Sequence, residues 1–144
     1  MSDLTLARRV VAAMMKKDAF SQWLGIEVLE VDVRRVAVRM TVRPEMLNGF
    51  GVCHGGVTFA LADTALACAC NSTKHVAMSI ENSIRYPAPV HSGDVLTAAA
   101  NPQTGASRLG FYEVVVANQH GATVALFTGT TYTTTRTHDS ATSP

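Results

Sequence analysis

The stretch Cys53-His54-Gly55-Gly56-Val57-Thr58-Phe59-Ala60-Leu61-Ala62-Asp63-Thr64-Ala65-Leu66-Ala67-Cys68-Ala69-Cys70-Asn71 constrains the chain most. After two glycines it runs apolar or small to Asn71, with Asp63 as its only charge. It has no two-residue alternation, it is longer than a strand, and Ala and Leu favour helix. A helix from about Gly55 to about Asn71 is expected. Being apolar all round, it has to be buried, with sheet wrapped over it. Its length approaches that of a membrane span, but a central Asp63 in an otherwise soluble sequence argues against one.

Two features of this helix carry chemistry. The first backbone N–H groups of a helix lack internal acceptors and sit at the positive end of its dipole. Gly55-Gly56 would let a ligand oxygen approach them, as suits a phosphate, a carboxylate or a developing oxyanion. The plainer reading is a tight strand-to-helix turn that needs glycine. Asp63 is the second feature. A buried carboxylate is costly unless paired, and no Lys or Arg lies within ten residues of it. Its cation comes from elsewhere in the fold, or it faces a wet cleft; the plainer reading is an Asp hydrogen-bonded to a nearby loop backbone. Gly55 and Asp63 are about 12 Å apart along one helix, so they cannot act on one carbonyl from the same copy. If both belong to one site, two subunits bring antiparallel helices together. That implies a symmetric homodimer with two composite sites.

With 144 residues, 47% apolar and 16% charged, the chain suits one domain that also hides surface in an oligomer. A net charge of +1, without basic runs, gives no reason to expect nucleic acid. No signal peptide is visible, because the charges of residues 1–17 lie within the apolar pattern. Three cysteines, two of them on the buried helix, fit reduced thiols and a cytoplasmic location. Their spacing does not suit zinc, and neither a metal nor a separate cofactor is expected.

Leu4, Ala7, Val11, Met14 and Met15 have amphipathic helical spacing over about residues 4–17, with Ser2 or Asp3 as cap. Residues 18–24 connect, with a helical turn around Phe20 and Trp23. Ile26 to Val33 alternates with a phase slip at Leu29 that suggests a bulge. Val36 to Val42 alternates cleanly. Residues 44–52 form a loop in which Asn48-Gly49 and Gly51 are turn residues. Beyond the helix, Val76, Met78, Ile80, Asn82, Ile84 and Tyr86 share one face of a long strand, opposite Ala77, Ser79, Glu81, Ser83 and Arg85. Three further strands follow, at about 95–100, 109–117 and 123–133. The Thr/Ser-rich tail 134–144 is expected to be disordered. The order predicts an α+β domain over 1–133 with an antiparallel sheet.

Met46-Leu47-Asn48-Gly49, Cys53-His54-Gly55-Gly56, Phe59, Leu61-Ala62-Asp63-Thr64-Ala65 and Ala69-Cys70-Asn71-Ser72 together resemble the signature of hotdog-fold acyl-CoA thioesterases, the phenylacetate-degradation (PaaI-type) group above all. The likeness runs through Tyr86, Gly93-Asp94, Leu96-Thr97 and Thr123 to Phe127, covering roughly residues 20–133. The resemblance implies an antiparallel sheet wrapped around a long central helix. It also implies an acyl-CoA substrate of aryl or medium-chain type, phenylacetyl-CoA first, and a dimer-of-dimers tetramer. Asp63 would be general base or nucleophile and the Gly55 N–H the oxyanion donor. Asn48 would orient the attacking group, His54 would shape the turn, and Ser79 would assist the carboxylate. Asn48 as a plain turn residue and Ser79 as a plain strand serine remain open. Gly56, Tyr86, Arg85 and Arg108 are candidate substrate contacts, the arginines by charge alone. A hydroxybenzoyl-CoA-type thioesterase and a non-catalytic acyl-CoA-binding regulator are the competing readings.

Overall fold

The computed structural model describes residues 1–138. Helix α1 spans Asp3–Lys17, capped by the Ser2 side chain, which accepts from the Thr5 N–H at 3.1 Å. Asp18 ends α1 and caps α2 (Ala19–Leu24), its carboxylate accepting from the Ser21 N–H and hydroxyl. Gly25 closes α2 at φ 75°, a left-handed conformation that suits glycine. Strands β1 (Glu27–Asp32) and β2 (Arg35–Thr41) form a hairpin with the expected bulge at Leu29. A single 3-10 turn, Pro44–Met46, and a loop lead to α3 (Gly55–Cys70). Strands β3 (His75–Arg85), β4 (Val95–Pro102), β5 (Leu109–Ala117) and β6 (Thr123–Thr137) follow.

The six strands form one antiparallel sheet in the order β1-β2-β4-β5-β6-β3. It curls over α3, which packs against β2, β4, β5, β6 and β3. Leu61, Ala62, Ala65, Leu66 and Ala69 of α3 are fully buried beside Val38, Leu96, Val114 and Phe127 from the sheet. Phe59 meets Phe127 edge to face with ring centroids 5.3 Å apart. The sheet leaves one stripe of α3 part-open: Ala60, Asp63 and Ala67 are only half-buried.

Two strands differ from the sequence pattern. In β3 the register shifts between Ser79 and Glu81, making Ile80 an extra residue. A bulge reverses the alternation, so Ala77 and Ser79 before it and Asn82 and Ile84 after it share the α3 side. The single expected face of Val76, Met78, Ile80 and Ile84 is therefore broken. Met78 and Ile80 stand 60% and 59% exposed on this edge strand. Strand β6 continues through Thr137, into the stretch expected to be tail, because Thr137 pairs with His75. The rest of that expected tail, 139–144, lies outside the described residues.

Candidate active site

The start of α3 is built by five contacts. The His54 N–H donates to the Met46 carbonyl at 2.8 Å, and Leu47 bridges Cys53, pinning the base of the 47–53 loop. The His54 Nδ1 accepts from the Gly56 N–H at 2.9 Å, and the His54 carbonyl accepts from Val57. The Tyr86 hydroxyl donates to the Gly55 carbonyl at 2.7 Å. Gly56 is thus capped, while the Gly55 N–H has no acceptor among the described residues. His54 serves as the cap of α3.

The two glycines are required by close approach, not by conformation, since neither has a positive φ. A Cβ on Gly55 would stand 3.1 Å from the Tyr86 ring, and one on Gly56 would stand 3.0 Å from His54 Nδ1. Gly55 borders a cleft of about 270 Å³, walled also by Thr58, Tyr86, Pro89 and Val90.

Asp63 lies two turns on, half-buried. Its Oδ1 accepts from Asn82 Nδ2 at 3.3 Å, and Asn82 Oδ1 accepts from the Ser79 hydroxyl at 2.8 Å. The β3 bulge makes this chain possible, because in a regular strand Ser79 and Asn82 would point to opposite faces. Ser79 reaches the carboxylate only through Asn82. Burial pushes the Asp63 pKa above its ordinary value. The Asn82 bond opposes that rise, and the Asp18 carboxylate adds to it. Asp18 is linked to this region through Ser21, whose hydroxyl lies 3.0 Å from that of Thr64.

Gly55 and Asp63 are on one unbroken helix, so the structure does not bring them together within one protomer, and Asp63 is absent from the cleft wall. Asn48 sits half-buried in its loop. Its Oδ1 accepts from the Phe50 N–H at 2.9 Å and, more weakly, from Val52 at 3.4 Å. The turn role is thus filled by the carbonyl side, and the amide Nδ2 has no acceptor among the described residues. Arg85 is exposed at the Tyr86 end of β3, without an ion pair among the described residues. Arg108 lies at the other end of the sheet, donating to the Thr133 carbonyl, opposite the Ala77 end of β3. It is remote from Gly55 of its own protomer.

Sequence reasoning missed Asn82 and Gly129. Asn82 was the one polar residue on an otherwise apolar strand face, and that was its signal. Gly129 pairs with Asn82 across the sheet, and a Cβ there would run into Leu66 and stand 2.8 Å from the Asn82 Oδ1. Its missing side chain is the space the amide occupies. Cys68 and Cys70 are pushed up to about 12, mainly by burial, which suits packing thiols and not nucleophiles. No cluster of three or more His, Cys, Asp or Glu that could hold a metal occurs among the described residues. No described helix is long and apolar enough to cross a membrane.

Comparison with known proteins gives three findings. The thioesterase superfamily model matches residues 50–125. The Escherichia coli acyl-coenzyme A thioesterase PaaI is 43% identical over 117 residues, 81% of this chain and 84% of that protein. The structure of E. coli PaaI, from the phenylacetic acid degradation operon, aligns with a TM-score of 0.91 at 39% identity, covering 94% of this chain and 99% of that one. A Streptococcus mutans protein bound to acetyl-CoA aligns with a TM-score of 0.74 at 27% identity, covering 78% and 90%.

Proposed function

The chain belongs to the thioesterase superfamily and has its hotdog fold, and we propose that it hydrolyses acyl-CoA thioesters with aryl or medium-chain acyl groups, phenylacetyl-CoA-type esters first. The observation that carries this reading is the free Gly55 N–H at the start of a buried helix whose carboxylate, Asp63, is held by Asn82. Likeness to the E. coli acyl-CoA thioesterase supports the thioester as substrate. The S. mutans neighbour bound to acetyl-CoA supports a site that accepts CoA esters.

The protein works as a homodimer with antiparallel α3 helices, each site joining Gly55 of one copy to Asp63 of the other. The half-open stripe of α3 and the exposed Met78 and Ile80 on the β3 edge are the surfaces for that pairing. Two such dimers form the tetramer, in the cytoplasm. The thioester carbonyl accepts a hydrogen bond from the Gly55 N–H, which strengthens as negative charge develops on the oxygen. Asp63 removes a proton from an attacking water, or attacks directly to form an anhydride that water then opens. The tetrahedral intermediate expels CoA as thiolate, which takes up the proton. Ser79 fixes the Asn82 amide so that its N–H faces the carboxylate. Asn48 Nδ2 orients the attacking group. Tyr86 and Gly56 flank the acyl entry, and Arg85 and Arg108 are contacts for CoA phosphates. CoA is part of the substrate, so no further cofactor takes part.

The test is thiol release from a panel of acyl-CoAs by the wild type and by Asp63→Asn. The expected result is turnover led by phenylacetyl-CoA-type esters and a loss of about 10²–10⁴-fold in the variant. Equal rates would remove Asp63 from the chemistry, and no turnover of any ester would leave a binding protein.

A further inference from the structure

At the C-terminal end of α3, away from the Gly55 cleft of the same protomer, lies a second cavity of about 430 Å³. Arg34 enters it from the β1–β2 turn and Lys74 and His75 from the link after α3, with hydroxyls of Ser107, Thr131 and Thr133 on the far wall. No carboxylate lines it. The side chains of Arg34 and Lys74 have no ion pair or hydrogen bond among the described residues. The Nδ1 of His75 is buried without any hydrogen-bond partner, a costly state for a polar atom. Arg34 also holds a φ of 61° and Ser107 one of 47°, an uncommon conformation for non-glycine residues. The Arg34 turn is fixed by its N–H donating to Ser72 Oγ at 2.6 Å. Asp3 borders a neighbouring cleft that shares Arg34 and Lys74, without coming within ion-pair distance.

Two permanent cations, a buried unpartnered imidazole nitrogen and several hydroxyls around a cavity without carboxylates are the chemistry that recognises a phosphate monoester. We propose that this cavity binds a phosphate group, with Arg34 and Lys74 as charge partners and His75 Nδ1 as a hydrogen-bonding group. The phosphate has two sources. One is the nucleotide end of a CoA ester, an assignment that rests on the composite-dimer reading. With Asp63 of one copy level with Gly55 of a second, Cys70 of the first lies about 10 Å further along the axis, beyond that Gly55. The other source is a free phosphorylated metabolite, which needs no such pairing.

The experiment uses the full chain and adenosine 3′,5′-bisphosphate as probe, titrated calorimetrically into the wild type, Arg34→Asn/Lys74→Ala, and Arg39→Ala as a charge control. Asn is chosen because it tolerates the left-handed turn, and thermal melting checks that the double variant folds. Expected is binding to the wild type that weakens about tenfold or more in the double variant and not in Arg39→Ala. A shift of the His75 ring resonances on titration is expected too, and it keeps the test valid should the double variant not fold. No binding, equal binding by a folded double variant, or unmoved His75 resonances would overturn the proposal. Acyl-CoA and acyl-pantetheine hydrolysis then separate the sources. A KM raised for the CoA ester alone assigns the nucleotide, and both KM values unchanged with binding lost assigns a free ligand. The titration needs no turnover, so failure of the thioesterase reading leaves it intact.

Discussion

If Asp63 is the proposed base or nucleophile, stability and activity call for opposite protonation states of its carboxyl. Its folded-state pKa is raised, so the native state holds the proton more tightly than the unfolded chain does. The stabilising contribution is complete below the unfolded value of about 3.9 and is lost as pH rises through the higher folded value. Asp63→Asn removes a half-buried carboxyl whose charged form burial disfavours. The variant is expected to melt above the wild type at pH 7, and the gap should close toward roughly pH 4. A variant that melts lower at neutral pH would show that the carboxylate is better paired than its contacts indicate. Asn82 works in the other direction, since its N–H favours the ionised form. Asn82→Ala should move the acid limb of the kcat/KM profile to higher pH, and Ser79→Ala should move it less. An unmoved limb in Asn82→Ala would separate this amide from the titrating group. The half-buried position of Asp63 was legible from its isolation among apolar neighbours. Its partner was not, because pairing Ser79 with Asn82 needs a bulge that a nearly unbroken alternation from Val76 to Tyr86 conceals.

At the scale of elements, the beginning of α3 is the most heavily specified part of the chain. His54→Ala removes a cap and should cost about 1 kcal/mol, read by denaturant unfolding. Gly56→Ala should disturb the same cap, since the new Cβ meets His54 Nδ1. Helix α3 was legible almost to the residue because its apolar run has clear ends, the glycine pair and Asn71. The bulge in β1 was legible because Leu29 breaks the phase. The far end of β6 was not. Thr134 to Thr137 carries neither alternation nor large apolar groups, and only its pairing with β3 makes it strand. Strand β3 presents Met78 and Ile80 outward on an unpaired edge. Ile80→Lys is expected to give a folded monomer in sedimentation and to lose activity with it. A variant that stays dimeric would move the proposed interface elsewhere.

For the whole molecule, the sharpest expectation comes from the separation of Gly55 and Asp63 on one straight helix. Gly55→Pro removes the donor at a position where helices tolerate proline, although its ring crowds Tyr86, which must give by a few tenths of an ångström, and Asp63→Asn removes the carboxylate. Each should be inactive alone. Denatured and refolded together in equal amounts, they should recover about a quarter of wild-type activity, because half the dimers are mixed and each mixed dimer has one intact site of two. No recovery would place both groups in a single-chain site. The proposed pairing of two copies follows from helix geometry alone, since Gly55 and Asp63 stand about 12 Å apart along one helix. The second cavity, proposed to take a phosphate, was not legible, because Arg34, His75 and Ser107 meet only after the sheet has closed. The strand order has one more consequence. Among the described residues, β3 is held in the sheet solely by β6, which follows the other five strands in the chain. As the chain leaves the ribosome, β1, β2, β4 and β5 can pair with one another while β3 waits for its only neighbour. Asn82 and Tyr86 reach their places beside α3 only once β6 has been made, so a chain cut short of β6 has most of its sheet but lacks the partner of Asp63 and the Tyr86 contact at Gly55.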